Sequence, residues 1–147
     1  MIKGHFVFGP SGLQSVGLFI SPTFSWEIIG ANEQQKTLLS HWLSEYTAGT
    51  AGGYPGILSL ETMTPFQQTV LKELKNLPFG EVISYRSLGK RAGCPKGARA
   101  IGSACGANPF PLLIPCHRII RSDKSIGGFA LDLEIKKRLL LHEGRNH

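Results

Sequence analysis

The chain contains Leu112-Leu113-Ile114-Pro115-Cys116-His117-Arg118-Ile119-Ile120, in which a cysteine and a histidine stand side by side between two apolar runs. The apolar runs predict a strand-like segment, over 114–120, that is largely shielded from water. A thiol becomes a good nucleophile only when it loses its proton, and a neighbouring base is a usual means of removing it. Free cysteines are also among the most buried residues of proteins, so the pair taken alone could belong to a core strand.

The charge of the chain is unevenly distributed. Its 147 residues suffice for one ordinary domain or two small ones, and the formal net charge is +6. Residues 1–60 carry two lysines against three glutamates, whereas residues 61–147 carry fourteen Lys or Arg against seven Asp or Glu. A basic half beside a nearly neutral one is typical of a polyanion-binding module attached to a support, although a generic solvated surface would look similar. We therefore expect two domains, 1–60 and 61–147.

The cysteine content and the apolar runs limit the class of protein. No apolar run approaches the roughly 20 residues that cross a bilayer, and the first residues lack the apolar core of a signal peptide. Three cysteines without C-x-x-C spacing favour neither a disulfide framework nor a zinc knuckle. We expect a cytoplasmic protein in a reducing compartment, with no membrane partner, no metal and no cofactor.

The first half reads as three short strands followed by a helix. The segments 3–8, 14–20 and 24–29 are rich in β-branched and aromatic residues and are separated by turn residues, which predicts a small antiparallel sheet. Asn32 with Gln35 forms a capping-box pattern that opens a helix, and Trp42 and Tyr46 lie on its apolar face as core residues. A linker over 47–56 precedes a further short strand near 57–60.

The second half is predicted to be mostly helical. Thr64 caps a helix that has Pro65 at its first position, and Ser84 caps a second helix that ends near Gly93. A third helix fits 96–107, so a helix-turn-helix spans about 84–107, and a last helix runs from about 132 to 143. The fold class is therefore α+β, with a small N-terminal antiparallel sheet and helix and a mostly helical C-terminal domain that contains a DNA-binding helix-turn-helix.

A series of short motifs occurs in a specific order along this half. They are Thr64-Pro65-Phe66, Leu77-Pro78-Phe79-Gly80-Glu81-Val82-Ile83-Ser84-Tyr85, Arg99-Ala100-Ile101-Gly102, Asn108-Pro109, Ile114-Pro115-Cys116-His117-Arg118, Gly127-Gly128-Phe129 and Leu140-Leu141-His142-Glu143-Gly144. From about Thr64 to Gly144 the chain resembles the O6-alkylguanine-DNA alkyltransferases, which repair DNA by a suicide reaction. The resemblance implies single-turnover transfer of the alkyl group from O6-alkylguanine in double-stranded DNA irreversibly to Cys116, after the base is flipped.

The resemblance also implies roles for five residues. Cys116 is the nucleophile and His117 its base, acting through a water because consecutive side chains of a strand point to opposite faces. Glu143 matches the carboxylate that orients the imidazole. Asn108 matches a hinge asparagine, and Tyr85 matches the tyrosine that supports base extrusion and hydrogen-bonds a ring nitrogen of the guanine.

Further residues match the DNA-binding and pocket positions of the family. Arg99 matches the arginine that enters the duplex in place of the flipped nucleotide, while Arg86 and Lys96, near helix starts, are expected to meet phosphates. The DNA-binding set is completed by Tyr85, Ser84, Ala98 and Gly102. The substrate pocket is expected to comprise Pro111, Ile119, Phe129 and Ala130. Phe129 stands where tyrosine is usual and Ala130 where some members have serine, so two side-chain hydroxyls are missing there.

Three alternatives use some of the same features. An alkyltransferase-like protein would recognise lesions without transfer, but such proteins lack the cysteine that is present here as Cys116. A helix-turn-helix regulator would not require Cys116, His117 and Glu143 together. A cysteine hydrolase could use the same triad and would regenerate its thiol, so stoichiometry distinguishes it. A zinc base deaminase is excluded by the lack of paired cysteine ligands. We expect a nucleoid-associated monomer that repairs DNA.

Overall fold

The computed structural model describes residues 1–94, 97–123, 125–127 and 132–145. It confirms the predicted α+β class. In chain order the elements are β1 (Ile2–Gly9), β2 (Gly12–Ile20), β3 (Ser25–Ile29), α1 (Glu33–Ala48), α2 (Pro65–Lys75), β4 (Ile83–Ser84), α3 (Tyr85–Arg91), α4 (Ala98–Gly106), a 3-10 turn (Cys116–Arg118), β5 (Ile119–Ile120) and α5 (Leu133–His142). None of the helices described here is long and apolar enough to cross a membrane.

The N-terminal sheet is mixed, so the prediction of an antiparallel sheet is wrong for its third strand. β1 lies in the middle, antiparallel to β2 and parallel to β3. β2 ends at Ile20, opposite Ile2 at the start of β1, and Ser21 then donates its backbone N–H to the carbonyl of Met1 at 3.3 Å. The connection 21–24 passes this end of β1, and β3 therefore begins beside the same end and runs in the direction of β1.

Helix α1 buries the apolar face that the sequence predicts. Its capping box is present, because the Asn32 side chain accepts from the backbone of Gln35 and the Gln35 side chain accepts from the backbone of Asn32. Its buried residues are Leu39, Trp42, Leu43 and Tyr46. The strand predicted near 57–60 does not form. These residues do alternate in burial, but they pair with no described strand, and Ile57 is 91% exposed.

Helices α2, α3 and α4 form the C-terminal bundle, with α2 packed against both of the others. α2 begins at the predicted Thr64 cap, which forms a capping box with Gln67, and has Pro65 in its first turn. α3 and α4 pack on each other as the predicted helix-turn-helix. Gly89 permits this turn to close, because a Cβ there would lie 2.7 Å from the carbonyl oxygen of Cys94.

Helix α5 connects the two halves. It contacts β1, β2 and the Cys116–Arg118 turn, and Nη1 of Arg138 donates to the carbonyls of Met1 at 3.2 Å and Ser21 at 3.3 Å. The buried apolar side chains of both halves belong to one cluster. The cysteine segment therefore lies against a helix that also packs on the N-terminal sheet.

Candidate active site and DNA-binding face

The segment around Cys116 is buried but is only partly a strand. Residues 111–120 are all buried, and Cys116 and His117 are 6% and 0% exposed. Residues Cys116–Arg118 form a single 3-10 turn, and only Ile119–Ile120 pair with β4. Pro115, with φ −80° and ψ 65°, departs from the extended backbone before the thiol. The expectation that Cys116 and His117 occupy opposite faces of a strand is therefore wrong.

Three side chains surround the carboxylate of Glu143, which is 5% exposed at the end of α5. His117 Nε2 lies 2.5 Å from Oε2, and the hydroxyl of Tyr46 donates to the same oxygen at 2.7 Å. Nε of Arg118 donates to Oε1 at 2.6 Å, while its Nη1 donates to the Leu77 carbonyl at 2.7 Å. The chain thus brings Glu143 to His117, as the resemblance implies, and adds Arg118 and Tyr46.

The charge of Glu143 determines which nitrogen of His117 can act as a base. Burial alone would raise the pKa of Glu143, but the imidazole of His117 and the guanidinium of Arg118 together lower it well below its ordinary value. An ionised carboxylate can only accept, so Nε2 of His117 carries the hydrogen that it donates to Oε2. Nδ1 then presents a lone pair, and this buried atom has no hydrogen-bond partner among the described residues.

The thiol of Cys116 is held in its protonated form. Burial raises its pKa, and a hydrogen bond from the Asn108 side chain and the positive charge of Lys136 only partly offset that effect. A raised pKa protects the resting thiol from stray electrophiles. The proton must therefore leave during the reaction, and the free lone pair on Nδ1 of His117 suits that step.

Asn108 ties the loop before the thiol to the end of α4. Its Nδ2 donates to the carbonyl of Ile114 at 2.9 Å, and its Oδ1 accepts from the backbone of Phe110 at 2.9 Å. Within this loop Leu112 has a φ of 76°, a left-handed conformation that costs free energy for a side chain of this size. The geometry suits the hinge role expected of Asn108.

Tyr85 lies at the start of the helix-turn-helix and interacts electrostatically with the thiol of Cys116. It is the first residue of α3, directly after the Ser84 cap, and is half-buried. Burial raises its pKa, and the thiols of Cys105 and Cys116 raise it further. Gly127 approaches its ring so closely that a Cβ at this glycine, whose φ is 71°, would lie 3.2 Å from Cε2 of Tyr85.

The remaining predicted residues divide between the surface and the interior. Arg86, Ala98 and Arg99 are exposed, and a Cβ built on Gly102 meets no atom within 4 Å. The two arginines lie on an open face of the helix-turn-helix, on which Ala98 and Gly102 contribute little side-chain bulk. Pro111 and Ile119 are buried in the cysteine segment. Lys96, Phe129 and Ala130 lie outside the described residues, so their predicted roles have no structural counterpart here.

Residues 65–145 match the family model described as "6-O-methylguanine DNA methyltransferase, DNA binding domain". This match covers more than half of the chain. The chain belongs to this family. The resemblance read from the motifs is thereby confirmed.

Three relatives of this methyltransferase family illustrate the likeness. The chain is 40% identical over 106 residues to the methylated-DNA–protein-cysteine methyltransferase of Shigella flexneri, which covers 72% of this chain and 62% of that one. It is 50% identical over 78 residues to the human protein of the same name, covering 53% and 38%. It thus spans less than two thirds of the length of these relatives. Its fold resembles Mycobacterium tuberculosis OGT in complex with DNA, with a TM-score of 0.73, 26% identity and coverage of 97% and 93%.

Two charged residues of the site in this family member were not predicted. Lys136 is fully buried, and its Nζ donates to the carbonyl of Ile119 at 2.6 Å. Burial lowers its pKa to about 8, against the opposing effect of the Cys116 and Cys105 thiols. The sequence feature that could have revealed Lys136 is a lysine on the apolar face of α5, beside the buried Ile135 and Leu139. Arg118 directly follows His117, but the sequence pattern predicts no role for it.

Proposed function

We propose that this protein transfers the alkyl group from O6-alkylguanine in double-stranded DNA irreversibly to Cys116, once per chain. The observation that carries the proposal is the buried thiol beside an imidazole whose Nε2 is held by an ionised carboxylate at 2.5 Å, in a member of the methyltransferase family. Covalent catalysis by a thiol commonly uses a nucleophile, a base and a carboxylate that orients the base, and the proposal assigns these roles to Cys116, His117 and Glu143.

The proposed reaction is a displacement at saturated carbon. Nδ1 of His117 takes the proton of the Cys116 thiol, directly or through a water, as the sulfur attacks the alkyl carbon. An S–C bond forms and the C–O6 bond breaks, with its electron pair passing to the guanine. Tyr85, proposed to stand next to the guanine ring, donates its hydroxyl proton to a ring nitrogen. The proton that His117 took from the thiol then passes through solvent to restore the tyrosine, so that protons balance over the reaction. A thioether has no leaving group that water can displace readily, so the chain stays alkylated.

Burial of the thiol requires the guanine to leave the DNA stack. Cys116 is 6% exposed, so it cannot reach a base inside a duplex unless that nucleotide is flipped. We propose that Arg99, exposed on α4, fills the gap that the guanine leaves. The small residues Ala98 and Gly102 would let α4 approach the bases closely. The proposed phosphate-facing contacts are Arg86, Lys96 and Ser84.

We further propose a division of labour between residues 1–60, as support, and residues 61–147, as the transferring and DNA-binding part. Nearly all of the groups invoked here belong to the second part, which also holds the positive charge. Since one chain supplies every group in the reaction, a monomer suffices. We propose the nucleoid in the cytoplasm as the site of action, because the proposed substrate is DNA.

Stoichiometry tests this proposal. With a large excess of O6-methylguanine duplex, we expect one guanine repaired per chain and then no further reaction, however long the incubation. A cysteine hydrolase would instead continue to turn over, and a lesion-recognition protein or a regulator would bind the duplex and repair none. Either of those results would refute the proposed transfer.

A further inference from the structure

Tyr46 reaches the reactive centre from the N-terminal half. It lies on α1, 97 residues before Glu143, and its hydroxyl donates to Oε2 of that carboxylate at 2.7 Å. Its side chain is fully buried. The sequence pattern placed Tyr46 among the core aromatics, and its hydrogen bond gives it a second role.

The packing around Tyr46 fixes the direction of its hydroxyl. Its ring stacks on Trp42 with centroids 5.5 Å apart and meets Phe79 edge-on at 5.5 Å. The ring of His142 lies 5.2 Å away, and Nε2 of His142 donates to the Tyr46 carbonyl at 2.8 Å. Because the Tyr46 ring is held on several sides, its hydroxyl oxygen stays directed towards Glu143.

We infer that Tyr46 is a positioning residue that holds the Cys116–His117–Glu143 relay in its resting, thiol form, so that the N-terminal half of the chain sets the reactivity of Cys116. This inference deepens the proposed function and rests on it only for the identity of the alkyl donor. Among the described contacts, Tyr46 touches neither the Cys116 thiol nor the His117 imidazole, and it acts through the carboxylate of Glu143.

Tyr46 is a permanent hydrogen-bond donor. Burial raises its pKa well above the ordinary value, and the negative charge of Glu143 raises it further. The phenol therefore keeps its proton throughout the working pH range. Because Glu143 is ionised and can only accept, the hydroxyl hydrogen points at Oε2.

Tyr46 and His117 donate to the same oxygen, Oε2 of Glu143. Two donors on the same acceptor compete for its charge, and the positive end of the phenol dipole lies close to the N–H of the imidazole. When His117 takes the thiol proton, its ring gains a full positive charge, which this dipole disfavours. Tyr46 thus favours neutral imidazole with thiol over imidazolium with thiolate. In a protein that reacts once, such restraint limits losses to stray electrophiles.

Other charged and titratable groups face the relay and stay in place when only this hydroxyl is removed. Arg118 holds Oε1 of Glu143, and His142 faces Tyr46 from α5. The thiol of Cys116 interacts electrostatically with Lys136 and Tyr85. Lys136 in turn interacts with Cys105 and Arg121. A change confined to the Tyr46 hydroxyl therefore reports on the shared carboxylate oxygen.

The experiment is the pH dependence of Cys116 alkylation by iodoacetamide in the full chain, followed by mass spectrometry of the peptide that contains Cys116. Tyr46→Phe is expected to move the half-maximal rate to lower pH by roughly half to one unit, which is a three- to tenfold faster reaction below the midpoint. Tyr54→Phe is the matched control. It removes the hydroxyl of another buried tyrosine, packed edge-on against Trp42 at 5.9 Å, and should leave the profile unchanged.

A site-specific 3-fluorotyrosine at position 46 provides a second variant that keeps the ring and the hydrogen bond. Its phenol is a stronger donor, so the midpoint should move to higher pH. An unchanged profile, or a Tyr46→Phe midpoint at higher pH, would overturn the inference, because a purely structural loss would slow the reaction without favouring the thiolate. The assay contains no DNA or guanine, so its outcome is independent of whether O6-alkylguanine is the substrate.

Discussion

Cys116, His117 and Glu143 are 6%, 0% and 5% exposed, whereas Ala98 and Arg99 on α4 lie open to solvent. The buried relay draws its groups from α1, the Cys116–Arg118 turn and α5, and each charge in it has a specific partner. The α4 face comes from one short helix. A change in the relay should therefore alter the reaction rate with every alkyl donor, while damage to the α4 face should impair only reactions in the duplex.

Loss of the carboxylate is expected to have the largest effect on the relay. Glu143→Gln removes the charge that orients His117 and leaves Arg118 buried with a neutral partner. We expect transfer to slow by about 10²–10⁴-fold, for duplex and free O6-benzylguanine alike, with partial recovery at alkaline pH.

Breaking the buried pair of Glu143 and Arg118 should also cost about 3–5 kcal/mol of unfolding free energy. Glu45→Gln, which alters an exposed pair with His41, is the control. A variant slowed only on the duplex would contradict the separation of the two regions.

The same variant gives a pH test of stability. The folded pKa of Glu143 is below its ordinary value of 4.5, so its ionised form stabilises the fold at neutral pH, and that contribution is lost as the pH falls below about 4.5. Denaturant unfolding of the wild type should therefore show an acid-dependent loss of stability that is smaller in Glu143→Gln. Parallel profiles for the two proteins would show that the carboxylate is not held as described.

Arg99→Ala tests the exposed region. Unstacking a base costs a few kcal/mol that Arg99 would no longer offset, so repair of duplex DNA should slow by about 10- to 100-fold. Reaction with free O6-benzylguanine needs no flipping and should hardly change. Single-turnover rates on both donors provide the comparison, and an equal loss on both would assign Arg99 to the pocket.

Lys136→Met tests the effect of the buried cation on the Cys116 thiol. The cation lowers the pKa of Cys116, so its removal should slow alkylation of the thiol by about tenfold at neutral pH, on any donor. Lys136 itself has a folded pKa of about 8 against an ordinary 10.5, so the unfolded chain binds more protons between these values. Wild-type stability should therefore rise relative to the variant from pH 8 to 10.5. The exposed neighbour provides the control Lys137→Met, which should match the wild type.

Arg86→Ala should have the smallest effect. If Arg86 meets a phosphate, the variant binds all sequences a few-fold more weakly, and the salt dependence of duplex binding falls by about one counterion. Lys72→Ala, on α2, should leave that slope unchanged. A slope that stays the same in Arg86→Ala would remove this residue from the interface, and a slower reaction with free O6-benzylguanine would link it to the relay.

The parts that could be predicted from the sequence are those with local signals. The capping boxes at Asn32 and Thr64 mark helix starts correctly, because the capping groups lie within one turn of each other. The direction of β3 has no such signal, since its residue pattern suits either edge of β1 and either orientation. The turn at Cys116 was hidden by flanking isoleucines of strand-like composition.

The residues of the candidate site also divide into those that the sequence indicates and those that only the tertiary fold reveals. The motif order indicates Cys116, His117 and Glu143, and the structure brings the last two into contact. Tyr46 could not be distinguished from Leu39 and Trp42 on the same apolar face, because the partner of its hydroxyl is 97 residues away. Polar contacts of this range depend on the tertiary fold, which periodicity does not encode.

The most direct measurement follows the transferred carbon. A duplex carrying O6-methylguanine with an isotopically labelled methyl group is mixed with the protein, which is then digested and mapped by mass spectrometry. We predict one labelled thioether per chain, on Cys116, with unmodified guanine left in the DNA, and we predict that Cys116→Ser binds the duplex without taking up label. Label on Cys94 or Cys105, or label taken up by Cys116→Ser, would contradict Cys116 as the acceptor.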